Sequence, residues 1–131
     1  FKLNITEGSA QSIVTFAVPT AGMYGATEFY TVTATDGTDH ISRSGNIVIQ
    51  GVNKAGTTVC TIYAARDTEA EDGSEVAQTA ALTLTYTWTN VVSTSNCVLS
   101  LNAASNAGAN TLDITYNIEG TASASVTVTP N

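Results

Sequence analysis

The sequence predicts an all-β fold, an antiparallel β-sandwich of jelly-roll-like form with about eight strands. In several segments apolar residues alternate strictly with polar ones, most clearly in residues 82–89, Leu-Thr-Leu-Thr-Tyr-Thr-Trp-Thr. Successive residues of a strand point to opposite faces, so this alternation gives each strand one apolar face. The segments are separated by short runs of turn-forming residues, and none shows a helical period. Both features are typical of sandwiches and jelly rolls.

Residues 82–89 are predicted to form a central strand with its aromatic residues in the core. Threonine supplies the opposite face and favours strands over helices. Residues 97–103 and 112–118 alternate in the same way, and the first of these is the expected partner strand. The three strands predict one shared core, formed by Leu82, Leu84, Tyr86, Trp88, Leu99, Leu101, Leu112, Ile114, Tyr116 and Ile118.

The remaining strands follow from the same alternation and from turn residues. Pro19 ends a strand that carries Val14, Phe16 and Val18, because proline cannot donate to a strand ladder. Glycines and Pro19 indicate a loop over residues 20–27. The other predicted strands are a short first strand at residues 2–6, a hairpin over 28–52 with its turn at 36–39, a strand at 59–64, and a last strand at 121–129. Gly45 and Gly51 are candidate bulges in the hairpin.

Residues 66–78 break the alternation and hold five of the eleven acidic residues. Charge repulsion and a glycine predict a solvated surface loop. A calcium site is the alternative, but it requires several converging oxygen ligands, and the spacing matches no EF-hand. The sequence therefore predicts no metal site and no cofactor.

The chain of 131 residues is predicted to be one domain spanning residues 1–131. Charged residues make up 11% of it, against about 25% in an average protein, and 23 threonines give it a polar surface. The net charge of −7, with four dispersed cations, disfavours nucleic acid and anionic membrane surfaces as partners. Because the chain begins at Phe1, we expect a processed form or the distal part of a longer chain.

The two cysteines, Cys60 and Cys97, both lie in strand-like segments. The sequence leaves two interpretations open. Two buried free thiols are favoured, and a disulfide between adjacent strands is the alternative, because a bridge requires Cα atoms within about 7 Å of each other.

Catalytic chemistry is not predicted, and no catalytic residue is assigned. The single histidine, His40, follows Asp39 at a turn, but the G-x-S-x-G motif that places a nucleophilic serine is absent. Asp36 and Asp39 form a carboxylate pair of the kind used on glycosides, although turn formation explains both more simply. Arg43 is expected to hold this turn through an ion pair or hydrogen bonds. We therefore predict that the protein is not an enzyme.

Several segments resemble β-rich domains of tailed-bacteriophage virion appendages, such as tail fibres, head fibres and capsid decoration proteins. The resemblance spans roughly residues 25–119. It is carried by Phe-Tyr-Thr-Val at 29–32, Asp-Gly-Thr-Asp-His at 36–40, Arg-Ser-Gly at 43–45, Val-Asn-Lys-Ala-Gly at 52–56 and Leu-Asp-Ile-Thr-Tyr at 112–116.

This resemblance implies a homotrimeric structural or adhesion domain exposed on the virion. Its partners would be other capsid or tail proteins, or a glycan or receptor on the host surface. The alternative is a bacterial adhesin, a pilus subunit or a carbohydrate-binding β-sandwich. A sugar site favours exposed aromatic residues, and Tyr24 is the main aromatic residue in a loop, although we expect Met23 and Tyr24 to fold back on the core. Small residues are expected at the contact between copies, namely Ala77, Ala80, Ala81, Ala122 and Ala124.

Overall fold

The computed structural model describes residues 1–35, 40–72, 84–93, 95–105 and 111–131. Within these ranges the chain forms nine strands, which are β1 (Lys2–Ile5), β2 (Gln11–Ala17), β3 (Met23–Thr35), β4 (His40–Lys54), β5 (Thr57–Asp72), β6 (Leu84–Val92), β7 (Asn96–Ser105), β8 (Thr111–Ala122) and β9 (Thr127–Pro130). The predicted all-β, antiparallel sandwich is confirmed. No helix in these ranges has the length and apolar character needed to cross a membrane.

The strands form two antiparallel sheets that face each other. One sheet has five strands in the order β1-β8-β3-β4-β5, and the other has four in the order β6-β7-β2-β9. A single apolar cluster fills the space between them. It contains the predicted core residues Leu84, Leu99, Leu101, Leu112, Ile114 and Tyr116, with Tyr86, Trp88 and Ile118 packed against it.

Strand β6 carries the alternation that first indicated the fold. Leu84 is buried, and the threonines at 85, 87 and 89 are exposed, so the predicted faces are confirmed. The prediction that this strand is central is wrong, because within the described ranges β6 pairs with β7 alone and forms the edge of its sheet. Tyr86 and Trp88 are half-buried for that reason. Leu82 lies outside the described residues.

Strand β3 begins at Met23, so the predicted loop over 20–27 is wrong in its second half. β4 and β8 flank β3 on both sides and give the backbone of residues 24–27 hydrogen-bonding partners. Those ladders outweigh the weak strand preference of Gly25. Tyr24 then points inward, where its ring stacks on Phe16 with centroids 4.2 Å apart.

Strand β5 continues to Asp72, so the predicted surface loop is wrong for residues 66–72. The first half of β4 pairs with this segment, from Asn46 opposite Arg66 to His40 opposite Asp72. A register shift after Asn46 accommodates the change of pairing, whereas Gly51 pairs without a shift. The backbone ladder of a long partner strand therefore decides the conformation of a charged segment. Residues 73–78 lie outside the described residues.

The last predicted strand is divided in two. β8 ends at Ala122, a turn closed by the Val126 amide donating to the Ser123 carbonyl follows, and β9 starts at Thr127. β9 crosses to the other sheet and pairs with β2. The prediction of one strand over residues 121–129 is wrong, because its middle residues carry the chain from one sheet to the other.

Candidate interaction surface

The outer face of the five-stranded sheet carries a set of exposed apolar side chains. Alternation along β3, β4 and β5 sends every second side chain away from the core, and at one end of the sheet these are large and apolar. We call the set the outer-face patch. Its members are between 41% and 71% exposed, and they are Met23, Phe29, Val48, Val52, Val59 and Tyr63.

The strand register makes much of this patch contiguous. Val52 lies opposite Met23 on one side and opposite Val59 on the other, so these three form one row across the sheet. Val48 lies opposite Tyr63 in a second row. Facing side chains on neighbouring strands are about 4.5–5.5 Å apart at Cβ, which is within contact distance.

Polar residues separate the two apolar rows, and charged residues lie at the margin of the patch. Gln50 and Thr61 face each other in the row between Val52 and Val48. Lys54 is exposed two residues beyond Val52 on the same strand, and Glu119 is exposed two strands away from Val48. Exposed apolar surface mixed with uncharged polar residues, and charged only at its margin, is the kind of surface that contacts another macromolecule.

A cleft of about 320 Å³ opens on the side of the sandwich where β8 and β9 lie. β1 pairs with residues 112–115 of β8, and among the described strands none pairs with the later part of β8 on this side. Phe16 and Tyr24 form the inner wall, and Phe1, Val128 and Pro130 lie at the mouth. Burial raises the pKa of Tyr24 to about 12, so its hydroxyl stays neutral there. The cleft is apolar and bounded on one side by an unpaired strand edge.

Glu28 is fully buried on the inner face of β3, between Ile47 on β4 and Ile118 on β8. Neither carboxyl oxygen has a hydrogen-bond partner in the described part of the chain. Burial raises the pKa of Glu28 to about 8, because an apolar surrounding disfavours the charged form. Burial, and then the nearby Glu28 carboxylate, raise the pKa of Tyr116, whose hydroxyl donates to the Ile13 carbonyl at 2.9 Å.

Of the catalytic candidates from the sequence, His40 lies among the described residues. His40 is exposed at the start of β4, opposite Thr35 on β3 and Asp72 on β5. Asp36 and Asp39 lie outside the described residues. Among the described residues no three His, Cys, Asp or Glu side chains are grouped so as to hold a metal ion.

The cysteines form a disulfide between Cys60 and Cys97, with Cα atoms 6.1 Å apart. The favoured interpretation of two free thiols is wrong, and the alternative of a disulfide is confirmed. The bridge does not join adjacent strands of one sheet, however, because β5 and β7 belong to different sheets. Sequence alone does not reveal that two strands from different sheets pass this close. Asn90 on β6 adds a link on the same side by donating to the Cys60 carbonyl at 3.0 Å.

Arg43 also links the sheets. Its guanidinium donates to the Leu84 carbonyl at 2.8 Å and lies 4.8 Å from the centre of the Tyr86 ring. Arg43 thus takes part in holding β4 against β6. The turn it was expected to hold lies outside the described residues.

The aromatic residue singled out for sugar stacking is not on the surface. Tyr24 is 6% exposed, whereas Phe29 and Tyr63 are 47% and 71% exposed on the outer-face patch. The sequence did contain a signal for both residues. Phe29 falls on the threonine side of its strand, and Tyr63 alternates with Cys60 and Ile62, which point inward.

Comparisons with solved structures give distant likenesses, of which two are phage tailspike proteins. The tailspike protein of Acinetobacter baumannii phage AM24 aligns with 98% of this chain at 11% identity and a TM-score of 0.46, and the match covers 28% of that protein. The tailspike protein of Acinetobacter phage vB_ApiP_P1 aligns with 92% at 14% identity and a TM-score of 0.44, covering 22% of it. At these TM-scores the likeness carries no argument about function. No protein-family model and no curated protein matches the sequence.

Proposed function

We propose that this chain is a non-enzymatic structural or adhesion domain of a tailed-phage virion, displayed on a tail fibre, head fibre or capsid. The observation that carries the proposal is the outer-face patch, an interaction surface on a rigid sheet with no reactive group among its six members. The phage assignment rests on the sequence resemblance over residues 25–119. The Cys60–Cys97 disulfide supports display in an oxidising environment, such as a virion or cell surface.

The proposed assembly is a homotrimer that contacts other virion proteins or a host glycan or receptor. A threonine-rich surface with few charges suits such a role, since hydroxyl groups bond well across a wet interface. The net charge of −7 disfavours nucleic acid as a partner, because carboxylates repel its phosphates.

A second candidate function is carbohydrate binding by a bacterial surface module. The exposed rings of Phe29 and Tyr63 favour it, because sugar-binding surfaces use exposed aromatic rings for stacking. In this case the ligand would occupy the outer-face patch directly.

The location of the protein tests the first proposal. The reading frame that encodes the chain is identified, and particles purified from the corresponding phage are incubated with gold-labelled antibody raised against the chain. Electron microscopy should show label on head or tail appendages, and pre-immune antibody gives the background. A reading frame with a bacterial surface anchor, together with label on cell envelopes, would instead support the second candidate.

A further inference from the structure

We infer that the outer-face patch is the contact through which copies of this chain associate, so that its occupant is a second copy of the chain. The inference rests on the proposed self-association and names the surface responsible. In a cyclic trimer the three outer faces would turn toward a common axis, so that each patch meets the patches of both neighbours.

The size of the patch fits this role. From the exposed fractions of its six members, the patch presents on the order of 600 Å² of side-chain surface, at the upper end for a monomeric protein. A standard interface buries about 800 Å² per partner, of which somewhat more than half is apolar. The patch therefore supplies the apolar area of one such interface, and in a cyclic trimer this area is divided between the two neighbours.

The distribution of charge favours contact at this end of the sheet. With a net charge of −7, two copies repel each other wherever their carboxylates approach. The acidic part of β5 begins at Asp67, four residues after Tyr63, which is roughly 13 Å along an extended strand. The patch itself contains no charged side chain, and Lys54 and Glu119 stand at its margin with opposite charges. Contact through the patch therefore brings together no carboxylate of its own members.

The contact predicted from small residues is less suitable. Ala122 and Ala124 are exposed, but Ala124 lies in the turn between β8 and β9 and offers only a methyl group. Ala77, Ala80 and Ala81 lie outside the described residues. The outer-face patch presents far more apolar surface on a regular sheet.

A matched pair of valines tests the inference. Val59 is 55% exposed within the patch, and Val91 is 58% exposed on β6 of the other sheet. Val59→Lys and Val91→Lys therefore make the same change in charge and volume at equally exposed strand positions. Sedimentation equilibrium of each variant and of the original chain, from about 1 to 100 µM, gives the mass against 13.5 kDa for one copy. Circular dichroism checks that each variant is folded. If Val59→Lys does not fold, Tyr63→Thr is used in its place.

We expect the original chain and the Val91→Lys variant to associate equally. The dissociation constant of the Val59→Lys variant should rise on the order of 100-fold, because burying an unpaired charge in the contact is costly. If both lysine variants associate like the original, the outer-face patch is not the contact, while the proposed assembly stands. A monomeric original chain at 100 µM overturns both self-association and this inference. Binding of that monomer to host polysaccharide, abolished by Tyr63→Thr, would assign the patch to a glycan instead.

Discussion

Glu28 is the residue least expected from its surroundings. It occupies an inward position on a strand whose neighbouring inward residues are apolar or aromatic, and it is completely buried. A buried carboxyl without hydrogen bonds avoids the large cost of an unpaired charge by keeping its proton. The raised pKa of Glu28, about 8, follows from this burial.

Folding stability should therefore depend on pH through Glu28. Below the unfolded pKa of 4.5 the group is protonated in both states. As pH rises, the unfolded state ionises first, so the free energy of unfolding falls until the pH passes about 8. At pH 7 the free energy of unfolding has fallen by roughly 3 kcal/mol, because each pH unit above the unfolded pKa costs about 1.36 kcal/mol. Urea unfolding of Glu28→Gln should show a gain of this order over the original chain at pH 7 and little difference near pH 4.

Glu119→Gln provides the control. It removes one carboxylate from the exposed side of β8, and its difference from the original chain should stay within about 0.5 kcal/mol at either pH. Equal stability of Glu28→Gln and the original chain at pH 7 would show that Glu28 is solvated or paired in solution.

Gly51 and Gly25 lie on neighbouring strands but differ in the space available for a side chain. A Cβ at Gly51 would overlap the ring of Tyr24, whereas nothing lies within 4 Å of the corresponding position at Gly25. Gly51→Ala should lower the free energy of unfolding by about 1–3 kcal/mol through overpacking. Gly25→Ala should leave it unchanged or raise it slightly. Denaturant unfolding of both variants measures the difference, and equal effects would contradict the placement of the Tyr24 ring.

Strand faces were predictable from the sequence, and strand lengths were not. The alternation around Leu84, Leu99 and Ile114 fixes which side chains point inward, because a shift of one residue would turn every side chain over. The ends of β3 and β5 depend instead on neighbouring strands that are distant in sequence. Residues 66–72 look like a loop by composition and form a strand because β4 extends beside them.

The disulfide should stabilise the side of the sandwich formed by β5, β6 and β7. It closes a loop of 37 residues, which on the chain-entropy model is worth roughly 4 kcal/mol. Adding a reductant should lower the urea midpoint of the original chain, while the double variant Cys60→Ser/Cys97→Ser should respond to neither reductant nor oxidant. Identical midpoints with and without reductant, after thiol labelling has confirmed reduction, would show that the bridge contributes nothing.

The two sides of the sandwich differ in how they are closed, and the outer face of the five-stranded sheet changes in character along its length. Covalent and polar links from Cys60, Asn90 and Arg43 close the β5–β6 side, whereas the β8–β9 side opens into the apolar cleft. The outer face of the five-stranded sheet carries the outer-face patch at one end, and strand β5 continues beyond it into an acidic sequence. The alternation in the sequence contains the outward orientation of Phe29 and Tyr63, although it was not predicted. It did not indicate that Met23, Val52 and Val59 share one row, because that depends on the register of three strands.

Association through an apolar patch on an acidic protein should strengthen with salt. Each copy carries a net charge of −7, so copies repel one another at low ionic strength, and added salt screens this repulsion. The apolar contact itself does not weaken as the salt concentration rises. Sedimentation velocity at 20 mM and 300 mM sodium chloride should show a larger associated fraction at the higher concentration. An assembly held mainly by ion pairs would dissociate instead, so a decrease with salt would contradict contact through the outer-face patch.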